Sequence, residues 1–270
     1  MTTLSKGFNP RRGLNPIKTL GQHFLREAKI IDDLITASDP NSNDVYLEIG
    51  AGEGAVTKNL APRVKKLIAV EIDKQLLETL ESNTKGINNV LVVNQNALAY
   101  LNLRYHDSNF NKVIGSIPYQ ITSPLLHSLA KWCANNREVD SVVLLIQKEV
   151  ADKITAGAPH GSYLSNFVQT YFDVTYIKTV PKSSFWPVPK VDGAIVRLQP
   201  KTTNYQLLTT NSTKWSAFLH QGFKFPRKML KKVFDERILE QAGIDPDQRP
   251  QEVSLDSWSK LYKLYGREKL

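Results

Sequence analysis

Val45-Tyr46-Leu47-Glu48-Ile49-Gly50-Ala51-Gly52-Glu53-Gly54-Ala55 decides the fold, because a short, mostly apolar run passes directly into three glycines and then into a helical stretch over 55–60. A strand that ends in glycines and reopens as a helix is the first unit of a parallel sheet. Upstream, Ile30, Ile31, Leu34 and Ile35 recur at helical spacing within 26–37, and the cluster Asp39-Pro40-Asn41-Ser42-Asn43 marks a turn. Downstream the alternation repeats. Strands are expected over 67–72, 90–93, 112–114 and 141–146, and helices over 74–82, 123–134 and 148–156. Two further strands, 174–180 and 191–198, flank a proline-rich loop over 181–189 and predict a hairpin at the sheet edge. The fold class is therefore α/β, a Rossmann-like, mostly parallel sheet with an antiparallel edge.

From 200 to 213 the chain turns polar and reads as a linker. Beyond it, 215–223, 227–241 and 254–264 predict three helices, the last capped by Ser254 and the second closed by Gly243. An α/β domain over 1–200 with a basic N-terminal arm, followed by a small helical domain over 201–270, is expected.

The chain has 270 residues, 41% of them hydrophobic, enough to bury a core. No apolar run approaches the roughly 18 residues that span a bilayer, and the polar N-terminus does not read as a secretory signal. Cys133 is the only cysteine, which excludes an internal disulfide and a thiolate metal cage. His106, His127, His160 and His220 lack ligand spacing, so no metal is expected. A cytoplasmic monomer without a membrane partner is the expectation. The net charge of +9 is segregated: residues 1–29 carry six Lys/Arg against one acid, 201–270 carry thirteen against eight, and the body between is near neutral. Basic ends on a neutral body suit a polyanion that touches particular segments. Arg11 and Arg12 in the first segment, and Lys224, Arg227, Lys228, Lys231 and Lys232 in the last, are the candidate nucleic-acid contacts. Most of the latter five are expected along one side of a helix whose first turn holds Pro226 and whose opposite stripe is Leu230, Val233, Phe234 and Ile238.

Gly50 and Gly52 let the backbone approach a ligand closely, and Glu71, twenty-one residues after Gly50, ends the second strand where a carboxylate accepts both hydroxyl hydrogens of a ribose. These features imply an adenosine-containing cofactor. Gly50, Gly52 and Ala55 also satisfy the dinucleotide fingerprint, so a nicotinamide cofactor stays open on the glycines alone. Glu48, before the first glycine, suits a cationic sulfonium or amine and opposes a pyrophosphate.

Ser116-Ile117-Pro118-Tyr119 follows the fourth strand. The adenine amine is a poor nucleophile because its lone pair is delocalised into the ring. A polar side chain at 116 and the Ile117 carbonyl, held in aim by Pro118, can accept its N–H groups and turn the lone pair out of plane, while Tyr119 offers a face for the base to stack on. Such a base has to be unpaired or flipped first.

Across Gly21-Gln22-His23-Phe24-Leu25, the glycine motif, Glu71-Ile72-Asp73, Ile117-Pro118-Tyr119, Gln147-Lys148-Glu149-Val150-Ala151, the run from Phe185 to Asp192, and Arg227-Lys228-Met229-Leu230, the chain resembles the ribosomal RNA adenine dimethyltransferases. The resemblance covers nearly the whole length. It favours the small-subunit, kasugamycin-sensitivity branch over the erythromycin-resistance methylases. It implies S-adenosylmethionine as cofactor, with contacts at His23, Leu25, Gly50, Glu71, Ile72, Asn96 and Ser116, and Phe185 joining Tyr119 around the target base. It further implies N6,N6-dimethylation of two adjacent adenines near the 3′ end of small-subunit rRNA, with the pre-30S particle as partner. Two positions depart from the pattern. Asn96 stands where the family usually has Asp; its oxygen can still accept from the cofactor's adenine, at a cost of about 1 kcal/mol. Ser116 stands where the family usually has Asn or Asp, which moves more of the work onto the Ile117 carbonyl. The alternatives are a ribosome-assembly factor of this fold that has lost turnover through Asn96 and Ser116, and a nicotinamide oxidoreductase.

Overall fold

The computed structural model describes residues 16–17, 20–102, 110–135, 139–201 and 212–268. Arg11, Arg12 and His106 lie outside these residues, as does most of the expected linker. The elements in chain order are β1 (Phe24–Leu25), α1 (Ala28–Ala37), β2 (Val45–Ile49), α2 (Thr57–Leu60), β3 (Lys66–Glu71), α3 (Lys74–Asn83), β4 (Val90–Asn94), α4 (Ala97–Asn102), β5 (Lys112–Ser116), α5 (Thr122–Asn135), β6 (Ser141–Gln147) and α6 (Lys148–Thr155). After these come α7 (Tyr163–Tyr171), β7 (Phe172–Val180), β8 (Phe185–Trp186), β9 (Gly193–Pro200), α8 (Ser212–Gly222), α9 (Glu236–Gln241) and α10 (Leu255–Glu268).

Seven strands form one sheet in the order β4-β3-β2-β5-β6-β9-β7. The first five are mutually parallel, and β9 and β7 close the edge as an antiparallel hairpin, as the sequence predicts. The chain leaves β2 toward β3 and β4, then returns to β5 on the other side. Strand order thus reverses between β2 and β5, where an open α/β sheet leaves a crevice beyond its carboxyl ends. Both faces are covered. Leu34, Ile35, Leu60 and Ile114 belong to one apolar cluster, and Leu47, Leu125, Phe167 and Val196 to the other.

Helix α7 goes beyond the sequence reading, which assigned nothing to 157–171. Its polar residues Ser165, Asn166 and Thr170 are buried, so the apolar periodicity is broken, and its start is a reciprocal pair of bonds between Ser162 and Ser165. Thr170 Oγ1 accepts from Trp215 Nε1 at 3.0 Å. Through such contacts the second apolar cluster runs without a break into Trp215, Phe218, Trp258 and Leu261 of the C-terminal helices.

The expected helix over 227–241 is not formed. Residues 223–229 make turns, Leu230–Lys232 a short 3-10 turn, and only Glu236–Gln241 is α-helical. Two local bonding choices explain the break. The N–H groups of Leu230 and Lys231 donate to the carbonyls of Gln248 and Pro246, at 2.9 and 3.1 Å, instead of to a preceding helical turn. Asp235 accepts from the Arg237 N–H and so starts α9 afresh. Pro226 lies in a turn, not in a first helical turn. Ser254 caps α10 and Gly243, at φ 74°, follows α9, both as expected.

Candidate active site

The crevice holds a cavity of about 200 Å³ walled by the glycine loop and by residues from the ends of β2, β3 and β5. Gly50 and Gly52 have φ of 72° and 58°, the left-handed region that favours glycine. The loop is fixed by Glu71. One carboxylate oxygen accepts the Gly52 N–H at 2.8 Å, and the other accepts those of Ile72 and Asp73, each at 2.9 Å. Burial raises the Glu71 pKa against these three bonds. Three of its roughly four lone-pair positions are thus taken, leaving room for one further donor, where the sequence reading expects the carboxylate to accept both hydroxyls of a ribose.

Glu48 is buried at the floor of the cavity and accepts the Thr57 hydroxyl at 2.7 Å. Burial pushes its carboxyl up to about 8, with the Glu71 charge adding to the rise and the Thr57 bond opposing it. Among the described residues no cation neutralises it. A cationic occupant of the cavity would stabilise its ionised form.

A wall of the cavity comes from β1, which the sequence presented only as a motif. Phe24 pairs with Trp186 and Leu25 with Phe185, antiparallel and some 160 residues apart in the chain. The Arg26 N–H donates to Ser184 O at 2.9 Å, and the Arg26 guanidinium reaches the Glu53 carboxylate at 2.5 Å. The 185–192 loop, β1 and the glycine loop are thereby fastened together. Gln22 adds to this wall by donating to Asp73 at 2.7 Å.

Next to the large cavity lies a smaller one, walled by Tyr119, Ile117, Leu145 and Phe185; His23, Ser116 and Pro118 border both. The Ser116 carbonyl oxygen comes within 3.4 Å of where a Cβ on Gly50 would stand, so the 116–119 turn and the glycine loop are in contact. Among the described residues nothing donates to the Ser116 hydroxyl or to the Ile117 carbonyl, and both are available as acceptors. Tyr119 donates its hydroxyl to Val191 O at 3.2 Å, which holds the ring in place. The ring nearest to it is that of His23, with centroids 5.7 Å apart. His23 Nδ1 donates to Pro187 O at 2.6 Å, since a carbonyl only accepts, and this bond sets the plane of the imidazole.

The structure therefore brings together His23, Leu25, Glu48, Gly50, Gly52, Glu71, Ile72, Asn96 and Ser116 around the large cavity, and Ile117, Pro118, Tyr119 and Phe185 around or beside the small one. Sequence reasoning missed Gln22, Phe24, Arg26, Glu53 and Gln120. Gln22 and Phe24 were within a quoted motif, whereas Arg26 and Glu53 carry no local signal because their roles come from a contact across the crevice. The basic residues of the tail are not on one helical face. Lys224, Arg227, Lys228 and Lys232 are exposed around the 223–232 turns, and Lys231 is paired with Asp247 at 2.5 Å. The Lys224 and Lys228 ammonium groups lie 5.5 and 4.9 Å from the ring centre of the exposed Phe225.

Comparisons with known proteins agree with this fold. The family model "Ribosomal RNA adenine dimethylase" matches residues 14–266. A relative from Nostoc sp., named ribosomal RNA small subunit methyltransferase A, is 37% identical, with 94% of this chain and 100% of the relative covered. One of the same name from Staphylococcus aureus is 33% identical over 93% of this chain and 90% of its own. Among solved structures, a dimethyladenosine transferase from Plasmodium falciparum superposes with a TM-score of 0.78 at 27% identity, covering 91% of this chain and 98% of that one. The 23S rRNA methyltransferase ErmE gives 0.69 at 26% identity, covering 89% and 98%.

Proposed function

Because the chain belongs to the ribosomal RNA adenine dimethylase family, we propose that it transfers methyl groups from S-adenosylmethionine to the N6 amines of two adjacent adenines near the 3′ end of small-subunit rRNA. The relatives' shared name supports the small-subunit target. A nicotinamide reading has no support left, since the family is a methyltransferase family.

The donor set of the large cavity fits S-adenosylmethionine. Glu71 has an acceptor position to offer a ribose hydroxyl, and buried, unneutralised Glu48 gains an ionised state from a cationic amine or sulfonium. When bound, the cofactor supplies an electrophilic methyl group. The chain's own residues do the rest. The Ser116 hydroxyl and the Ile117 carbonyl accept from the incoming amine, which localises its lone pair, and Pro118 holds that carbonyl in place. Tyr119 stacks on the base, and Phe185 completes the pocket around it. Displacement of this kind depends on positioning, so no nucleophilic side chain is required. The exposed cations at 224, 227, 228 and 232 and the basic N-terminal segment with Arg11 and Arg12 hold the RNA through phosphates. Such contacts position the RNA without reading its sequence. The chain divides functionally into a catalytic part, 1–200, and an RNA-holding part, 201–270, acting as a monomer on the pre-30S particle.

The reading of a fold without turnover is not favoured, because Ser116 still presents an unoccupied acceptor at the junction of the two cavities. One observation carries the enzymatic reading: the 116–119 turn borders the large cavity on one side and the small one on the other. The test is mass spectrometry of adenosines from undermethylated small-subunit rRNA treated with the purified protein. Wild type is expected to yield N6,N6-dimethyladenine, and Tyr119→Ala to lose about 10- to 100-fold of the rate through lost stacking. Unchanged product with Tyr119→Ala would overturn the mechanism.

A further inference from the structure

The tips of the parallel strands run β4, β3, β2, β5 across the crevice. Ser116 at the tip of β5 faces the small cavity, and Glu71 stands at the tip of β3. A nucleoside with its ribose at Glu71 and its reactive end toward Ser116 therefore lays its base toward β4. There the cavity is walled by Ile72, Leu76, Asn96 and Ala97. Ile72 is 45% exposed, an apolar shelf open to a flat ring.

Asn96 is the polar side chain at that end whose bonding is already decided. Its Oδ1 accepts the N–H of Leu98 at 2.9 Å and that of Ala99 at 3.2 Å, capping α4. Reversing the amide would set its NH2 against those two N–H groups and leave them unsatisfied, so the oxygen is fixed on the helix side. A carboxylate placed here would have a second oxygen to turn toward the cavity. The amide has only N–H.

We propose that Asn96 offers the cofactor's base a hydrogen-bond donor, so that this chain holds its purine through an acceptor atom on the ring edge and does not select the 6-amino group by accepting from it. This inference rests on reading the large cavity as the S-adenosylmethionine site. It makes Asn96 a specificity-determining residue.

The experiment is isothermal titration of the full chain with S-adenosylhomocysteine and with its 6-deamino analogue, whose purine keeps the ring acceptors and carries hydrogen in place of the amine. With wild type, the adenosyl compound is expected to bind less than about tenfold more tightly than the deamino compound, since the Asn96 amide donates to a ring nitrogen that both carry. In Asn96→Asp, which keeps the cap and replaces the donor by an acceptor that only the 6-amino group can satisfy, preference for the adenosyl compound is expected to rise by about fivefold or more. A wild-type preference at or above about tenfold, or a smaller change in the variant, overturns the inference while leaving the cofactor reading intact. Failure of wild type to bind either compound removes the cofactor reading itself, and the inference with it.

Discussion

Glu48 sits far from an ordinary carboxylate's environment, buried and without a neutralising cation among the described residues. A carboxyl held at about 8 when folded, against 4.5 when free, keeps a proton that the unfolded chain releases. Its folded pKa is raised, so the stability it allows is complete below pH 4.5 and is lost as pH rises through 8, levelling off beyond. The loss is on the order of 3 kcal/mol, at about 1.4 kcal/mol per pKa unit with some relaxation. Glu48→Gln keeps an oxygen for the Thr57 hydroxyl and removes the titration. Without ligand, its melting temperature should match wild type near pH 4 and exceed it at pH 8. A lower melting temperature at pH 8 would show that the buried carboxyl is not the source of strain. In the same chemistry, S-adenosylmethionine should bind more tightly as pH rises toward 8, because its cation favours the ionised form.

At the scale of elements, the site depends on how closely β2 and β5 approach. Ile49 and Gly115 are register partners, and a Cβ on Gly115 would stand 2.6 Å from the Ile49 carbonyl oxygen and 2.8 Å from Ile117 Cδ1. The Ile117 methyl can turn aside, but the contact with the Ile49 carbonyl is with backbone and cannot relax without moving a strand. Gly115→Ala is expected to cost about 1–3 kcal/mol of stability and to lower methyl transfer more than a surface substitution of equal destabilisation does. Chemical denaturation and the methylation assay, run on the same preparations, test this; an unaffected rate would mean the turn is not set by the strand pair. The C-terminal turns illustrate the opposite case. The basic run from Lys224 to Lys232 reads as an amphipathic helix by spacing, but Asp235 and the carbonyls of Pro246 and Gln248 offer better partners for its backbone.

For the whole molecule, the charge distribution and the shared core carry separate consequences. Trp215 and Trp258 belong to the same buried cluster as the sheet residues Leu144 and Val196, so the two parts of the chain should unfold together. The exposed cations are not tied into that core. Replacing Lys224 and Lys228 by Ala should leave unfolding unchanged and weaken binding to a small-subunit rRNA fragment. It should reduce the slope of log affinity against log salt by about 1 for each lysine. Filter binding between low and moderate salt measures it, and an unchanged slope would place the phosphate contacts elsewhere.

The sequence by itself determined the alternation of strands and helices, the glycine loop, Glu71 and the Ser116–Tyr119 turn. Each of these is written in neighbouring residues: apolar periodicity, glycines where φ must be positive, a proline fixing a carbonyl. The membership of His23 and Leu25 in the site was legible as a motif, though nothing local explained it. Only the tertiary structure decided that β1 pairs with β8 and closes the crevice, and that Arg26 holds Glu53. It also decided that the basic tail turns instead of continuing as a helix. The physical reason is common to all three. Each depends on which partner wins among several, and the winners lie where the folded chain brings distant backbone and charge together, beyond the reach of any spacing rule.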